Sequence, residues 1–214
     1  VSLEEIEEAA KLGLAAIYVP EEQGGSGLTR LDATLIFEAL AISCPSVSSF
    51  LSIHNMIAWM VATFGNETLQ DKYLADLCQM KKIGSYCLTE PESGSDAAAL
   101  RTKAVRTNEG YELTGTKSFI SGGDYSDLYI VMCRTGDETP KGISAIIVDK
   151  EAAGLSFGAQ ERKMGWRAQP TAQVMMDNCY INDKTQAYSF WNGSHFSQPI
   201  QQIIAYDMSK YLSG

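Results

Sequence analysis

Between Tyr86 and Asp96 the chain reads YCLTEPESGSD. An apolar run breaks at Pro91, with Thr89, Ser93, Gly94, Ser95 and Asp96 crowded around the break. Pro91 lacks an amide N–H, but Glu92 to Asp96 offer several in succession. Gly94 lets a ligand approach the main chain closely, and the neighbouring hydroxyls add donors and acceptors. Asp96 is placed to cap a helical turn over Ala97–Leu100, which leaves amides free to face an anion. The same composition also describes a capped surface loop, and the residue types alone do not choose between the two.

Other chemistries lack their parts. The two histidines are His54 and His195, and there is no Gly-x-Ser-x-Gly elbow for a nucleophile. His54 falls in a strongly apolar helical stretch, which suits a buried structural histidine. The five cysteines are widely spaced with no Cys-x-x-Cys, so neither a zinc site nor a disulfide framework is expected, and reduced thiols of an intracellular protein are. Gln23-Gly24-Gly25-Ser26-Gly27 is a turn that matches neither a dinucleotide fingerprint nor a P-loop. Adjacent carboxylates such as Glu4, Glu5, Glu7 and Glu8 lie on a solvated helix face. A net charge of −9 without any basic run excludes a nucleic-acid surface. The longest continuous apolar run, Met56–Ala62, is too short to cross a bilayer, so no membrane span is expected.

The elements that must position YCLTEPESGSD follow from periodicity. Ser2-Leu3-Glu4-Glu5 is a capping box ahead of a helix carrying Ile6, Ala10 and Leu14. Thr29 to Asp32 cap a second helix through Ile42. Phe50, Ile53, Ile57 and Phe64 mark a third, stopped by Gly65, and Asn66 caps a fourth with Leu69, Tyr73, Leu74 and Leu77. From Ile83 the period changes to short β runs: Gly84–Thr89, Thr102–Thr107, Tyr111–Ile120, Leu128–Thr135, Ile143–Asp149, Leu155–Arg162 and Gln173–Ile181. The fold class is therefore α+β, an N-terminal helical domain (1–82) followed by a middle antiparallel β-barrel or sandwich domain (83–181). Residues 182–214 read differently, polar at first and then with Ile200, Ile203, Ile204, Met208, Tyr211 and Leu212 on one side of a short helix. YCLTEPESGSD lies where the first strand leaves the junction, a favoured place for a ligand.

At these residues the sequence resembles the acyl-CoA dehydrogenases. The resemblance rests on YCLTEPESGSD together with Gly115-Thr116-Lys117-Ser118-Phe119-Ile120-Ser121-Gly122, Gly24-Gly25-Ser26-Gly27-Leu28, Phe64-Gly65-Asn66-Glu67, Lys141-Gly142-Ile143-Ser144, Lys163-Met164-Gly165-Trp166 and Gln169-Pro170-Thr171. It runs from about Ser2 to Ile181. Ile53-His54-Asn55-Met56, Ala58-Trp59-Met60 and the run Val131 to Gly136 narrow it to members acting on a short branched, isobutyryl-CoA-like substrate in valine catabolism. The resemblance implies FAD as cofactor, α,β-dehydrogenation of an acyl-CoA thioester with a glutamate base, electron-transfer flavoprotein as acceptor, a homotetramer when complete, and the mitochondrial matrix. It also implies that Tyr86, Cys87, Leu88, Thr89, Gly94 and Ser95 form the strand and loop against the flavin. Thr89 would bond the pyrimidine edge, Ser95 would also contact the CoA part of the substrate, Phe119 would pack on the ring with Ile120 beside it, and Ser121 would approach N5.

Two departures stand against that pattern. Glu92 occupies a position where the family has glycine, and a positive φ there would strain it by ~1–3 kcal/mol. The resemblance also stops near Ile181, before the C-terminal helical bundle that carries the family's glutamate base, and no glutamate follows Glu161. No catalytic residue is therefore assigned, and the 214 residues read as a truncated, non-catalytic product that binds flavin or another subunit at most. Apolar faces that would pack on the bundle are expected to be exposed.

Overall fold

The switch from helical to alternating periodicity becomes a switch from helices to strands in the computed structural model, which describes residues 3–182. The Ser2 capping box and the helix expected over 200–212 lie outside the described residues. α1 (Leu3–Lys11) leads through an irregular segment to α2 (Arg30–Ser43) and α3 (Pro45–Phe64). α2 starts with a reciprocal capping box: Thr29 Oγ1 accepts the Asp32 N–H, and the Asp32 carboxylate accepts the Thr29 N–H at 2.9 Å. α3 ends at Gly65 in an extended conformation (φ −66°), so no left-handed cap is used; the chain passes directly to Asn66, whose side chain accepts the Leu69 N–H at 3.0 Å. From there α4 (Glu67–Leu69), a π-helical turn (Gln70–Leu74) and α5 (Ala75–Cys78) follow without a break.

α3 is the central helix. Its most apolar 18-residue stretch has a mean hydropathy of 1.3, so by length and composition it reaches the range of a membrane span, which the shorter run Met56–Ala62 did not suggest. Most of it is buried within the fold, and its two fully buried polar residues, Asn55 and His54, are bonded inside the protein. The Asn55 side chain accepts the Ile17 N–H at 2.6 Å and donates to the carbonyls of Leu14 and Leu51 at 2.7 and 2.9 Å, fixing the segment after α1. His54 Nε2 donates to the Leu77 carbonyl at 2.9 Å while Nδ1 accepts the Gly84 N–H at 3.3 Å. One neutral imidazole thus joins the end of α5 to the first strand. Gly84 is required there, because a Cβ at this position would sit 2.3 Å from Ile57 Cγ2 of α3.

Seven strands follow: β1 (Gly84–Cys87), β2 (Lys103–Arg106), β3 (Gly110–Ser121), β4 (Leu128–Arg134), β5 (Ile143–Asp149), β6 (Leu155–Phe157) and β7 (Thr171–Asn182). They form one sheet in the order β1-β4-β2-β3-β7-β6, with β5 also paired to β4. The sheet is mixed, not antiparallel as expected. β1 runs parallel to β4 from Gly84↔Leu128 to Cys87↔Val131, and β2 touches β4 in parallel at Lys103↔Arg134. The β2–β3 excursion supplies the long crossover that a parallel β1–β4 pair needs. β6 is shorter than the expected Leu155–Arg162, because beyond Phe157 the chain keeps only isolated bonds to β7, from Gly158 N–H to the Gln173 carbonyl and from Glu161 N–H to the Thr171 carbonyl.

β4 and β5 are buried on both faces, which explains their unbroken apolar sequences. Leu128, Ile130 and Met132 of β4, with Ile143, Ala145 and Ile147 of β5, pack on α3, α5 and the residues around Val19. The intervening Tyr129, Val131, Cys133, Ile146 and Val148 face the hollow of the curled sheet with Leu113, Ile120, Val174 and Ile181.

Burial holds the His54 imidazole down at about 4, against 6.5 for an ordinary histidine, and its bond to the Leu77 carbonyl offsets only part of this. Between those two values the unfolded chain binds a proton that the folded one does not, so stability rises with pH across the window. Acidification from pH 7 to 4 should therefore remove about 3 kcal/mol through this residue. Denaturant titrations at stepped pH would measure the slope, and His54→Gln should flatten it.

Candidate functional site

β1 alternates cleanly. Ser85 and Cys87 point into the hollow of the sheet, while Tyr86, with Leu88 beyond the strand, packs against the helical core. The chain then leaves the sheet, because β2 takes over the same edge of β4 further along. β3 crosses beside this exit. Ser118 N–H donates to the Thr89 carbonyl at 2.8 Å, and Ser85 Oγ donates to the Ser121 carbonyl at 2.5 Å. Tyr86–Thr89 and Phe119–Ser121, separated in sequence, are thereby held side by side.

The excursion from Leu88 to Arg101 is closed by Glu90. Glu90 and Ser93 exchange backbone bonds of 2.9 and 3.2 Å, leaving Pro91 and Glu92 at the tip of a tight turn. The Glu90 carboxylate accepts the Arg101 N–H at 2.6 Å, the Thr102 N–H at 2.9 Å and Lys117 Nζ at 2.8 Å. Lys117 Nζ also donates to the Leu88 carbonyl at 3.0 Å. The side chains of this ion pair are 0% and 6% exposed for Lys117 and Glu90. Burial pushes the Glu90 carboxyl up, but the bonds from Lys117, Thr102 and Arg101 outweigh it and hold the group below the ordinary carboxylate range. Burial pushes the Lys117 ammonium down, and the facing carboxylate offsets part of this.

Two expectations about the loop are corrected. Asp96 makes no capping bond to the short 3₁₀ turn Ala97–Ala99; instead Ser93 Oγ donates to the Asp96 carbonyl at 2.6 Å and closes the loop on itself. Glu92 does not adopt a positive φ, so it carries no strain, and its carboxylate meets Arg101 at 2.6 Å on the surface. Gly94 and Ser95 are exposed, and nothing lies within 4 Å of the space a Cβ at Gly94 would fill.

Strain sits at Phe119 instead. The β3–β7 register slips between Lys117↔Val174 and Ile120↔Ala172, so Ser118 and Phe119 share a β-bulge. Phe119 has φ 58°, and its side chain is turned out with the residue 66% exposed. The extra residue lets Lys117 and Ile120 both be buried, although strict alternation would set them on opposite faces. A second slip, between Leu113↔Cys179 and Gly115↔Met176, places its extra residue on β7, where Asn178 has φ 48°. A bulky residue in the left-handed region costs ~1–3 kcal/mol and such residues gather at ligand sites.

The loop 158–170 flanks Ser121. Gly122 N–H donates to the Pro170 carbonyl at 2.8 Å, Gln160 Nε2 to the Gly123 carbonyl at 2.8 Å, and Lys163 Nζ to Thr171 Oγ1 at 2.6 Å. Met164 and Trp166 on this loop are exposed, as are Leu31, Leu35 and Ile42 on α2, in line with the expectation of exposed apolar faces. The Thr89 N–H and hydroxyl have no partner among the described residues, and buried Gln169 has none for its side-chain amide. Two other concavities, of 440 Å³ around Tyr18 and Glu21 and of 340 Å³ along β2, are lined by different residues. No cluster of three or more metal-ligating side chains occurs among the described residues. The cysteines are unpaired, and burial pushes the Cys87 and Cys133 thiols up to about 12, out of reach of nucleophilic use at neutral pH.

Sequence reasoning missed Lys117 and Glu90. Both lie inside quoted motifs, but nothing in their spacing says that one side chain reaches the other. The only signal was a lysine flanked by strand residues in β3.

Two family models match the chain: acyl-CoA dehydrogenase, N-terminal domain, over residues 1–81, and acyl-CoA dehydrogenase, middle domain, over residues 85–179. The chain is 51% identical over 173 residues to mitochondrial isobutyryl-CoA dehydrogenase of Bos taurus and 53% identical over 175 residues to that of Dictyostelium discoideum. Each match takes in 81% of this chain and 42% of the relative, so the chain spans about two fifths of their length. Among solved structures, glutaryl-CoA dehydrogenase of Mycobacterium smegmatis in complex with FADH2 superposes with a TM-score of 0.80 at 27% identity, over 87% of this chain and 47% of that one.

Glu90→Ala should lower stability by about 3–5 kcal/mol by stranding the buried ammonium, whereas the double replacement Lys117→Met with Glu90→Leu should recover only the part owed to the stranded charge, since the Arg101 and Thr102 amides stay unpartnered. Phe119→Gly should raise stability by about 1 kcal/mol, because glycine accepts the left-handed backbone and little buried surface is given up. Urea unfolding of the variants beside wild type would check both.

Proposed function

The chain belongs to the acyl-CoA dehydrogenase family, and from that premise we propose that the face built from Tyr86–Thr89, Gly94–Ser95 and Phe119–Ser121 is the β-sheet side of a site for FAD in a dehydrogenase of short branched acyl-CoA thioesters. One observation carries the reading: a half-buried Thr89 with unpartnered N–H and hydroxyl lies bonded beside a strained, outward-turned Phe119. A polar pair of donors next to an exposed aromatic ring fits a heterocycle with an apolar face and a carbonyl edge.

In this reading Phe119 stacks on the ring system, Thr89 donates to its pyrimidine edge, Ser121 stands at the reacting nitrogen, and exposed Ser95 meets the CoA part of the substrate. When bound, the flavin accepts the two electrons and the β hydrogen removed from the acyl chain. The residues of this face orient and polarise. Similarity to the two mitochondrial isobutyryl-CoA dehydrogenases supports valine catabolism and a mitochondrial location, and the proposal extends to the matrix, a homotetramer and electron-transfer flavoprotein as electron acceptor. A second reading is that the 214 residues by themselves bind flavin or another subunit without turnover.

The test is the visible spectrum of the chain after loading with FAD and removal of the free cofactor. A retained, resolved flavin band is expected, and Thr89→Ala and Ser121→Ala should each weaken retention about tenfold, the worth of one lost hydrogen bond. A colourless chain would sink the reading of this face as a self-sufficient flavin half-site, and turnover of isobutyryl-CoA would exclude the second reading.

A further inference from the structure

A buried ion pair is a poor way to gain stability, because desolvation consumes most of what the charges return. The pair of Lys117 and Glu90 has a second feature: each partner spends its remaining bonding capacity on the backbone of one short segment. Lys117 Nζ takes the Leu88 carbonyl at 3.0 Å. The neighbouring residue on β3, Ser118, takes the Thr89 carbonyl at 2.8 Å. Glu90, the next residue along, holds the Arg101 and Thr102 amides at 2.6 and 2.9 Å and so anchors the far end of the loop to the start of β2. With the carbonyls of residues 88 and 89 both engaged from β3, the Thr89 N–H and hydroxyl are the groups left over, and nothing among the described residues satisfies them.

We propose that Lys117 and Glu90 are positioning residues that hold the donors of Thr89 against the pyrimidine edge of the flavin, and thereby set how much more tightly the reduced flavin is held than the oxidised one. This rests on the flavin site proposed above. The pair touches no part of the cofactor; it acts through the Leu88–Glu90 backbone. Its leverage is on the difference between redox states because negative charge grows on the pyrimidine edge only on reduction. Donors fixed in place stabilise that charge without reorganising.

The experiment loads FAD onto wild type, Lys117→Met, the double variant Lys117→Met with Glu90→Leu, and Glu90→Gln. It measures the flavin midpoint potential against an indicator dye, with thermal unfolding alongside. The double variant removes both charges at once and keeps the core apolar, so it supplies a folded protein if Lys117→Met does not. Loss of Lys117 should lower the preference for reduced over oxidised flavin at least tenfold, a shift of about 30 mV to more negative potential for a two-electron couple. Glu90→Gln, whose single amide oxygen still accepts Lys117 and the Thr102 amide while its NH2 gives up the Arg101 amide, should move it less. A folded, flavin-loaded Lys117 variant with the wild-type potential would overturn the proposal while leaving the flavin site standing. Failure of every variant to fold would overturn it too, making the pair a folding element alone. If wild type itself retains no flavin, the site assignment falls, and this proposal with it.

Discussion

A lysine ammonium with no exposed surface must be met by a carboxylate and further acceptors, and in this protein that demand shapes the candidate site. Lys117 points from β3 into the space between β1 and β2, where no strand can lie because those two strands share one edge of β4. The excursion between them fills the gap and delivers Glu90 to the ammonium. The second carboxylate oxygen then collects the Arg101 amide as the chain returns to the sheet. A loop that composition would describe as a free surface turn is thus stapled at its entry by Lys117 and Ser118 and at its exit by Glu90.

The helical part reaches the same site by a different route. α3 packs directly on β1 because Gly84 offers no side chain, and His54 spends both ring nitrogens on joining α5 to that strand. At the opposite end of the junction, Tyr73 and Lys72 both donate to the Asp149 carboxylate at the end of β5, at 2.8 and 3.0 Å. The direction in which β1 leaves the helices is therefore set by buried polar contacts at its first residue, and the placement of Thr89 follows a few residues later.

Much of this was legible in the sequence. Helix starts at Thr29 and Asn66, the run of strands after Ile83 and the structural role of His54 all follow from local chemistry that side chains express within a turn or two, whereas YCLTEPESGSD stood out only through its resemblance to a family. What was not legible depends on partners distant in sequence. The parallel pairing of β1 with β4 is a matter of topology, which alternation does not encode. Asp96 was expected to cap because its own type and position allow it, but Ser93 reached the Asp96 carbonyl first. Strain was assigned to Glu92 and lies at Phe119, since a bulge is created by two strands together and leaves no mark in either one alone.

The paired bulges in β3 and β7 have a bearing on how this ladder can change over time. One strand carries its extra residue near Phe119 and the other near Asn178, so the slips cancel, and two strands of 12 residues meet flush at both ends, Gly110 with Asn182 and Ser121 with Thr171. Each strand changes once which parity of residue faces inward, β3 at Phe119 (Leu113 before, Ile120 after) and β7 at Asn178 (Val174 and Met176 before, Cys179 and Ile181 after). Losing the extra residue at either bulge would restore plain alternation, leaving Lys117 and Ile120, or Met176 and Cys179, two positions apart on one face with the flanking pairs kept, whereas a residue lost elsewhere in either strand would turn its remainder over. Length in these two strands is thus adjustable only locally: a single deletion is accommodated at either bulge, while anywhere else in the ladder it would set the inward face outward.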